Sequence, residues 1–250
     1  MDHRLKSSLR ERFAKERGAY RYPVGGRTRF ALVYPNTYFV GMSNLGLHII
    51  YDLLNRRTDT ACERVFLPDR TELPRYERTQ MPMMSIETQT PLADFAVIGF
   101  VVSFEMDYFH IVKMLALSHV RPLAEERTAR DPLVIAGGPC ATFNPEPLAE
   151  IVDAFVIGEG EVVMPALMDA YHAGVRAGDD RAALLRRLAY VPGLYVPALY
   201  VPSYDDAGNL AALVPSADAP PSVARQWVQN LDEYPAHTVV VTEDTEFNLY

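Results

Sequence analysis

Four short stretches carry the residues best suited to holding a ligand. They are Tyr34-Pro35-Asn36-Thr37-Tyr38, Gly41-Met42-Ser43-Asn44-Leu45-Gly46, Gly137-Gly138-Pro139-Cys140 and Gly158-Glu159-Gly160-Glu161. Glycine lets a backbone approach a flat group closely and leaves N–H groups to meet its polar edge. Taken singly, each glycine loop makes no more than a tight strand-to-helix turn. Taken together on one rim, without a recognisable phosphate loop, they point to a large planar ligand. Ser43 or Asn44 is placed to cap the helix that follows, and Glu159 and Glu161 sit where carboxylates favour the positive end of a helix dipole.

Other chemistries fit these positions less well. Gly41-Met42-Ser43-Asn44-Leu45-Gly46 is one residue longer than the nucleophile elbow G-x-S-x-G, so Ser43 reads as a cap. The dinucleotide fingerprint G-x-G-x-x-G is absent from the first turn, and Gly158 and Gly160 lack its third glycine. A receiver domain needs carboxylates after its first strand and an aspartate after its third, where this chain has Tyr34-Pro35-Asn36 and Ser103-Phe104. Pro35 and Tyr38 stiffen and fill the loop that a flavin phosphate would need. Cys62 and Cys140 are the only cysteines, too few for a four-thiolate site or a disulfide framework. Cys140 reads as a small packed hydrophobe, with a reactive thiol beside an acid as the rival. His48 reads as a partly exposed structural residue, and His110 and His119 carry no signal.

These loops need a scaffold, and the hydrophobic pattern supplies one. Continuous apolar runs at 30–33, 95–102, 133–136 and 154–157, with a further strand at 61–67, suit strands covered on both faces. Helical spacing falls between them at 45–54, 110–118 and 147–152, and then at 162–171 and 179–188, the last capped by Asp179 or Asp180 after Gly178. The alternation predicts an α/β fold, a flavodoxin-like doubly wound five-stranded parallel sheet in the order 2-1-3-4-5, with a C-terminal β-rich extension. Around Pro74, Pro82 and Pro91 there is room for a short helix and an extra strand at 83–87. Residues 199–204 and 210–214 read as a hairpin, 217–222 as a linker, 238–242 as a last clear strand, and 246–250 as the start of another. The parse is an N-terminal helical extension over 1–26, an α/β domain over 27–192, and a hairpin and linker over 193–250.

Composition narrows the partners. A net charge of −8 argues against a broad phosphate-binding surface, so no nucleic acid is expected, and the mixed charges of residues 3–21 suit a solvated amphipathic helix. The longest apolar run is far short of the ~20 residues that span a bilayer, and no cleavable signal is evident, so neither a membrane nor a compartment other than the cytoplasm is expected.

The series of motifs, together with Arg29-Phe30-Ala31-Leu32-Val33 and Asn144-Pro145-Glu146-Pro147, resembles radical S-adenosylmethionine proteins that carry a cobalamin-binding domain, over roughly residue 27 to the end. The resemblance implies a corrin-holding α/β domain followed by a partial barrel whose C-x-x-x-C-x-x-C motif holds a [4Fe–4S] cluster and S-adenosylmethionine. This chain has no such motif, and it reads as cut just before that half, with no catalytic residue of its own. The D-x-H-x-x-G motif of mutase-type cobalamin domains is also absent, which implies that the corrin is held by packing and backbone contacts. On this reading Tyr34, Asn36, Thr37, Ser43, Ser103, Phe104, Gly137, Gly138, Gly158, Glu159 and Gly160 contact cobalamin, and the partner is a radical S-adenosylmethionine barrel in the same or a separate chain. The rival readings are a ligand-free domain that docks the barrel and a stand-alone enzyme built on Cys140.

Overall fold

The structure, a computed structural model, describes residues 3–23, 25–234 and 236–245. Among the described residues eight α-helices and eight strands follow in chain order: α1 (His3–Ala14), β1 (Thr28–Tyr34), α2 (Tyr38–Met42), α3 (Leu45–Asn55), β2 (Thr60–Phe66), α4 (Leu73–Thr79), β3 (Val97–Val101), α5 (Asp107–Leu117), β4 (Leu133–Gly137), α6 (Pro139–Phe143), β5 (Ala154–Val156), α7 (Gly160–Ala177), α8 (Arg181–Ala189), β6 (Leu194–Tyr195), β7 (Tyr200–Tyr204) and β8 (Leu210–Pro215). The central sheet is mostly parallel and runs β2-β1-β3-β4-β5-β6, while β7 and β8 form a separate antiparallel hairpin. It has six strands where five are expected from the pattern, because Leu194–Tyr195 adds antiparallel to β5. A two-residue strand leaves no period to read.

Strands β1, β3, β4 and β5 are largely apolar on both faces because helices cover both. On one side Leu47 and Leu54 of α3, Val163, Leu167 and Met168 of α7 and Leu188 of α8 pack on Phe30, Leu32, Ile135 and Val156. On the other side Ile111, Met114 and Leu115 of α5 pack with Leu5 of α1 and Tyr76 of α4 against Ala31, Val33, Ile98 and Val134. Each fully buried Leu or Met adds about 1.5–3 kcal/mol of transfer free energy. Caps fix the registers: Asn44, not Ser43, accepts from Leu47 N, Asp180, not Asp179, accepts from Ala183 N, and α7 ends on Gly178 in the left-handed region.

Four expected elements differ. Residues 83–87 form no strand; Met84 makes one isolated bridge to Pro91, since the flanking prolines cannot extend a ladder. In place of a helix at 147–152 there is a single 3-10 turn, Glu146–Leu148, with Pro145 and Pro147 removing donors. Within 238–242 only Val241 pairs, with Arg17. The N-terminal helix stops at Ala14, and beyond it Glu16, Ala19, Tyr20 and Tyr22 turn inward while Lys15, Arg17 and Arg21 stay exposed. The expected strand at 246–250 lies outside the described residues.

The inward packing has an electrostatic cause. Edge strand β2 is buried along its whole length although it contains Glu63 and Arg64, so both need partners. Arg29 donates to Glu63 at 2.6 Å, and Ser85 and Thr88 also donate to it. Arg64 lies between Glu16 of the N-terminal segment, at 2.5 Å, and Glu87, at 2.7 Å, with all of these side chains closed to solvent. Its guanidinium also sits 4.7 Å over the Tyr51 ring. Two carboxylates thus share one guanidinium where neither reaches water. Burial pushes the Glu87 carboxyl up to about 7 despite the opposing pull of Arg64.

The sign of the pH dependence follows. A folded state that keeps a proton the unfolded chain releases is favoured at low pH. The contribution is complete below the ordinary carboxyl value near 4.5 and is lost as pH rises towards about 7. We expect this group to add a fall in unfolding free energy of up to about 1.4 kcal/mol per pH unit across that window. Glu87→Gln should flatten the slope in urea titrations at stepped pH. An unchanged slope in that variant would assign it to other groups.

Candidate functional site

A cavity of about 560 Å³ opens at the carboxyl edge of the sheet. Its floor is the sheet face: Phe30 and Leu32 of β1, Gly99 and Val101 of β3, Ile135 of β4 and Val156 of β5. One wall is α3 through Gly46 and Ile50, and the facing wall is the start of α7 through Gly160, Glu161 and Met164. The floor is flat for a specific reason. A Cβ on Gly99 would stand 2.6 Å from the Phe30 ring, so glycine there lets that ring lie along the sheet. Gly46 differs: a Cβ there meets only the tip of the Asn44 side chain, Oδ1 at 3.2 Å, so a side chain on this helical position fits once that capping amide gives by a few tenths of an ångström.

Polar groups ring the mouth. Asn44 Nδ2 lies 3.4 Å from Ser103 Oγ, and Thr142 Oγ1 accepts from Gly158 N at 3.1 Å, leaving its own proton free to donate. Arg225, from a C-terminal segment crossing the mouth, also lines it. A flat apolar slot with amide, hydroxyl and guanidinium groups at its lip is suited to an aromatic or macrocyclic group bearing polar arms.

The structure brings together Ser103, Gly137, Gly138, Gly158, Glu159 and Gly160 of the residues singled out from sequence. The other five lie away from the slot. Tyr34 is buried against α2, and Asn36 folds back on the Thr37 amide and towards Asp107. Thr37 precedes α2 without a side-chain cap bond. Ser43 donates to Phe39 O, and Phe104 projects into solvent. Glu159 does not cap α7 through its side chain; its carboxylate accepts from Val228 N. Asn44 and Gly46 were legible as part of the first glycine loop. Arg225 had no sequence signal at all.

Of the remaining candidates, His48 departs from the sequence reading and Cys140 agrees with it. His48 is buried, not partly exposed: its imidazole contacts Met42 O at 3.0 Å and Val240 N at 3.4 Å, and burial lowers its pKa. Cys140 is buried at the start of α6, and burial, with Glu105 and Asp107 nearby, pushes its thiol up, the reverse of what an activated nucleophile needs. Among the described residues no three His, Cys, Asp or Glu side chains are grouped to hold a metal ion, and no helix is long and apolar enough to cross a membrane.

The fold and site define an α/β domain with a ligand-sized slot at the carboxyl edge of its sheet. Residues 46–197, more than half of the chain, match the family of radical SAM proteins, N-terminal, and the chain belongs to that family. It is also similar to the uncharacterized protein MJ0966 of Methanocaldococcus jannaschii, with 29% identity over 132 residues, 52% of this chain and 24% of that protein. The chain therefore spans about a quarter of the length of the curated relative it matches.

Proposed function

We propose that this chain is the cobalamin-binding module of a radical S-adenosylmethionine protein. It lays the corrin across the carboxyl edge of the sheet, facing a barrel that carries the [4Fe–4S] cluster and S-adenosylmethionine. The observation that carries the reading is the slot itself, open at the edge where doubly wound sheets bind ligands. The order β2-β1-β3-β4-β5 within the sheet supports a flavodoxin-like assignment.

The residues present fit the periphery of a corrin. A cavity of about 560 Å³ is too small for the whole cofactor, so it would take up only a part, of the size of the aromatic base of the nucleotide tail. Gly46 and Gly160 leave the walls close to bare backbone there, and Asn44, Ser103 and Thr142 match carboxamide arms. Among the described residues no histidine lines the slot, so the chain would hold the group by packing and hydrogen bonds. When bound, the corrin supplies the cobalt chemistry. What the protein contributes is orientation and exclusion of water from the buried face.

Gly46→Leu tests this. Leucine is the better helix former, by about 0.5–1 kcal/mol in a helix interior, which offsets the tight contact with Asn44 Oδ1, so the variant should fold as the parent does, checked by its urea unfolding midpoint, while filling the slot. In an absorbance titration with hydroxocobalamin we expect binding by the parent and a loss of at least about tenfold in the variant. Equal affinity in both would place the corrin elsewhere.

A second reading has its own observation. Phe104, Met106, Phe109 and Phe143 are 54–82% exposed on loops and helices at the same edge. Such residues suit docking of a barrel whether or not a corrin lies between.

A further inference from the structure

The C-terminal segment does not pass the slot at random; it is fastened across it. Gln226 forms a parallel bridge with Gly158. Its N–H donates to Ile157 O at 3.0 Å, its carbonyl accepts from Glu159 N at 2.9 Å, and Val228 N donates to the Glu159 carboxylate. Two glycines clear its path. A Cβ on Gly158 would stand 1.9 Å from the Gln226 carbonyl oxygen, and one on Gly193 2.6 Å from Gln226 Cγ. Both glycines are in the left-handed region, with φ of +118° and +83°.

This fastening fixes Arg225, the neighbour of the bridged residue, at the mouth of the slot. Arg225 makes no ion pair among the described residues. Of the two carboxylates that share the lining, Glu159 is held by the Val228 amide, and Glu161 also borders the separate hollow containing Arg56 and His237. A guanidinium presented at the opening of a flat apolar slot matches an anionic oxygen attached to an aromatic group.

We infer that residues 224–228 are part of the binding site, a strap whose Arg225 reads the phosphodiester of the ligand's nucleotide tail. This rests on the corrin reading above. Arg225 is then the residue that distinguishes a corrin with its nucleotide tail from one without it. The guanidinium donates to the phosphodiester oxygens, the aromatic base fills the slot behind them, and the backbone bonds to Gly158 and Glu159 set the distance between the two.

The test compares two probes, hydroxocobalamin and dicyanocobinamide, which lacks the phosphodiester and base. Because Arg225 is on the surface, Arg225→Gln should fold as the parent does. We expect Arg225→Gln to weaken hydroxocobalamin binding about fivefold at low salt, an effect shrinking as salt is raised, and to leave cobinamide binding unchanged. Equal losses for both probes, or no loss for hydroxocobalamin, would overturn the role of Arg225 while the parent's own binding still upheld the corrin module. Failure of the parent to bind either probe would overturn both.

Discussion

Replacing Arg64 with methionine is expected to lower unfolding free energy by about 3–5 kcal/mol at neutral pH, the range for removing one partner from a buried ion pair. Methionine roughly fills the volume, so the loss is electrostatic. Glu16 and Glu87, both closed to solvent, are left facing each other without a cation. The Arg64 backbone N–H still reaches Glu87 at 2.8 Å, and Tyr38 still donates to Glu16 at 2.6 Å, but neither bond neutralises a charge. Acid should partly rescue the variant, because protonating Glu87, already pushed up to about 7 by burial, removes the repulsion. The loss should fall mainly on the docking of the N-terminal segment, since Glu16 is that segment's buried anchor. Urea unfolding of parent and variant at neutral and mildly acidic pH reads both effects. A loss below about 1 kcal/mol, or one independent of pH, would mean that water reaches this site.

The second large effect concerns Gly158. Alanine there has two problems, a φ of +118° and a methyl group 1.9 Å from the Gln226 carbonyl oxygen. The first costs of order 1–3 kcal/mol wherever it occurs, and the second cannot coexist with the strap. Gly208→Ala is the control: its φ is +82° but nothing lies within 4 Å, so it carries conformational strain alone. In Gly158→Ala we expect the strap to leave the sheet edge. Hydrogen exchange at the Gln226 and Val228 amides should then accelerate on the order of a hundredfold, equivalent to about 2.8 kcal/mol of lost local stability. The amides of β4 should stay protected. Unchanged exchange at Gln226 and Val228 would show that the sheet edge accommodates the methyl group and that the strap is not clamped as described.

The contrast between these positions shows what was legible in the sequence. Strands β1, β3 and β4 announced themselves because they are covered on both faces and are continuously apolar. The first glycine loop and the Gly137-Gly138 turn were visible as strand-end glycines, and both reach the slot. Gly158 was also visible, but its purpose was misjudged. The bare backbone it exposes is used by Gln226 of the same chain, about seventy residues further on. Nothing local at Gln226 encodes that pairing, and a single bridge leaves no alternating pattern. Arg225 was hidden for the same reason, and Glu16 because a carboxylate on a basic, polar segment looks solvated until its partner on β2 is known. Tyr34 was misleading in the opposite way: it ends a strand at the correct edge, but its ring turns inward against α2. Strand ends locate the edge of a sheet, whereas side-chain direction at that edge is set by long-range packing.

We propose above all that the slot and its lip hold a corrin. The most direct measurement is gel filtration of the purified chain with hydroxocobalamin, followed at the visible absorbance of the corrin. We expect the corrin to travel with the protein in about equimolar amount, and to be lost from the peak when Gly46 is replaced by leucine. A well-folded parent that elutes free of corrin would contradict it, and would leave the exposed Phe104, Phe109 and Phe143 edge as a surface for docking alone.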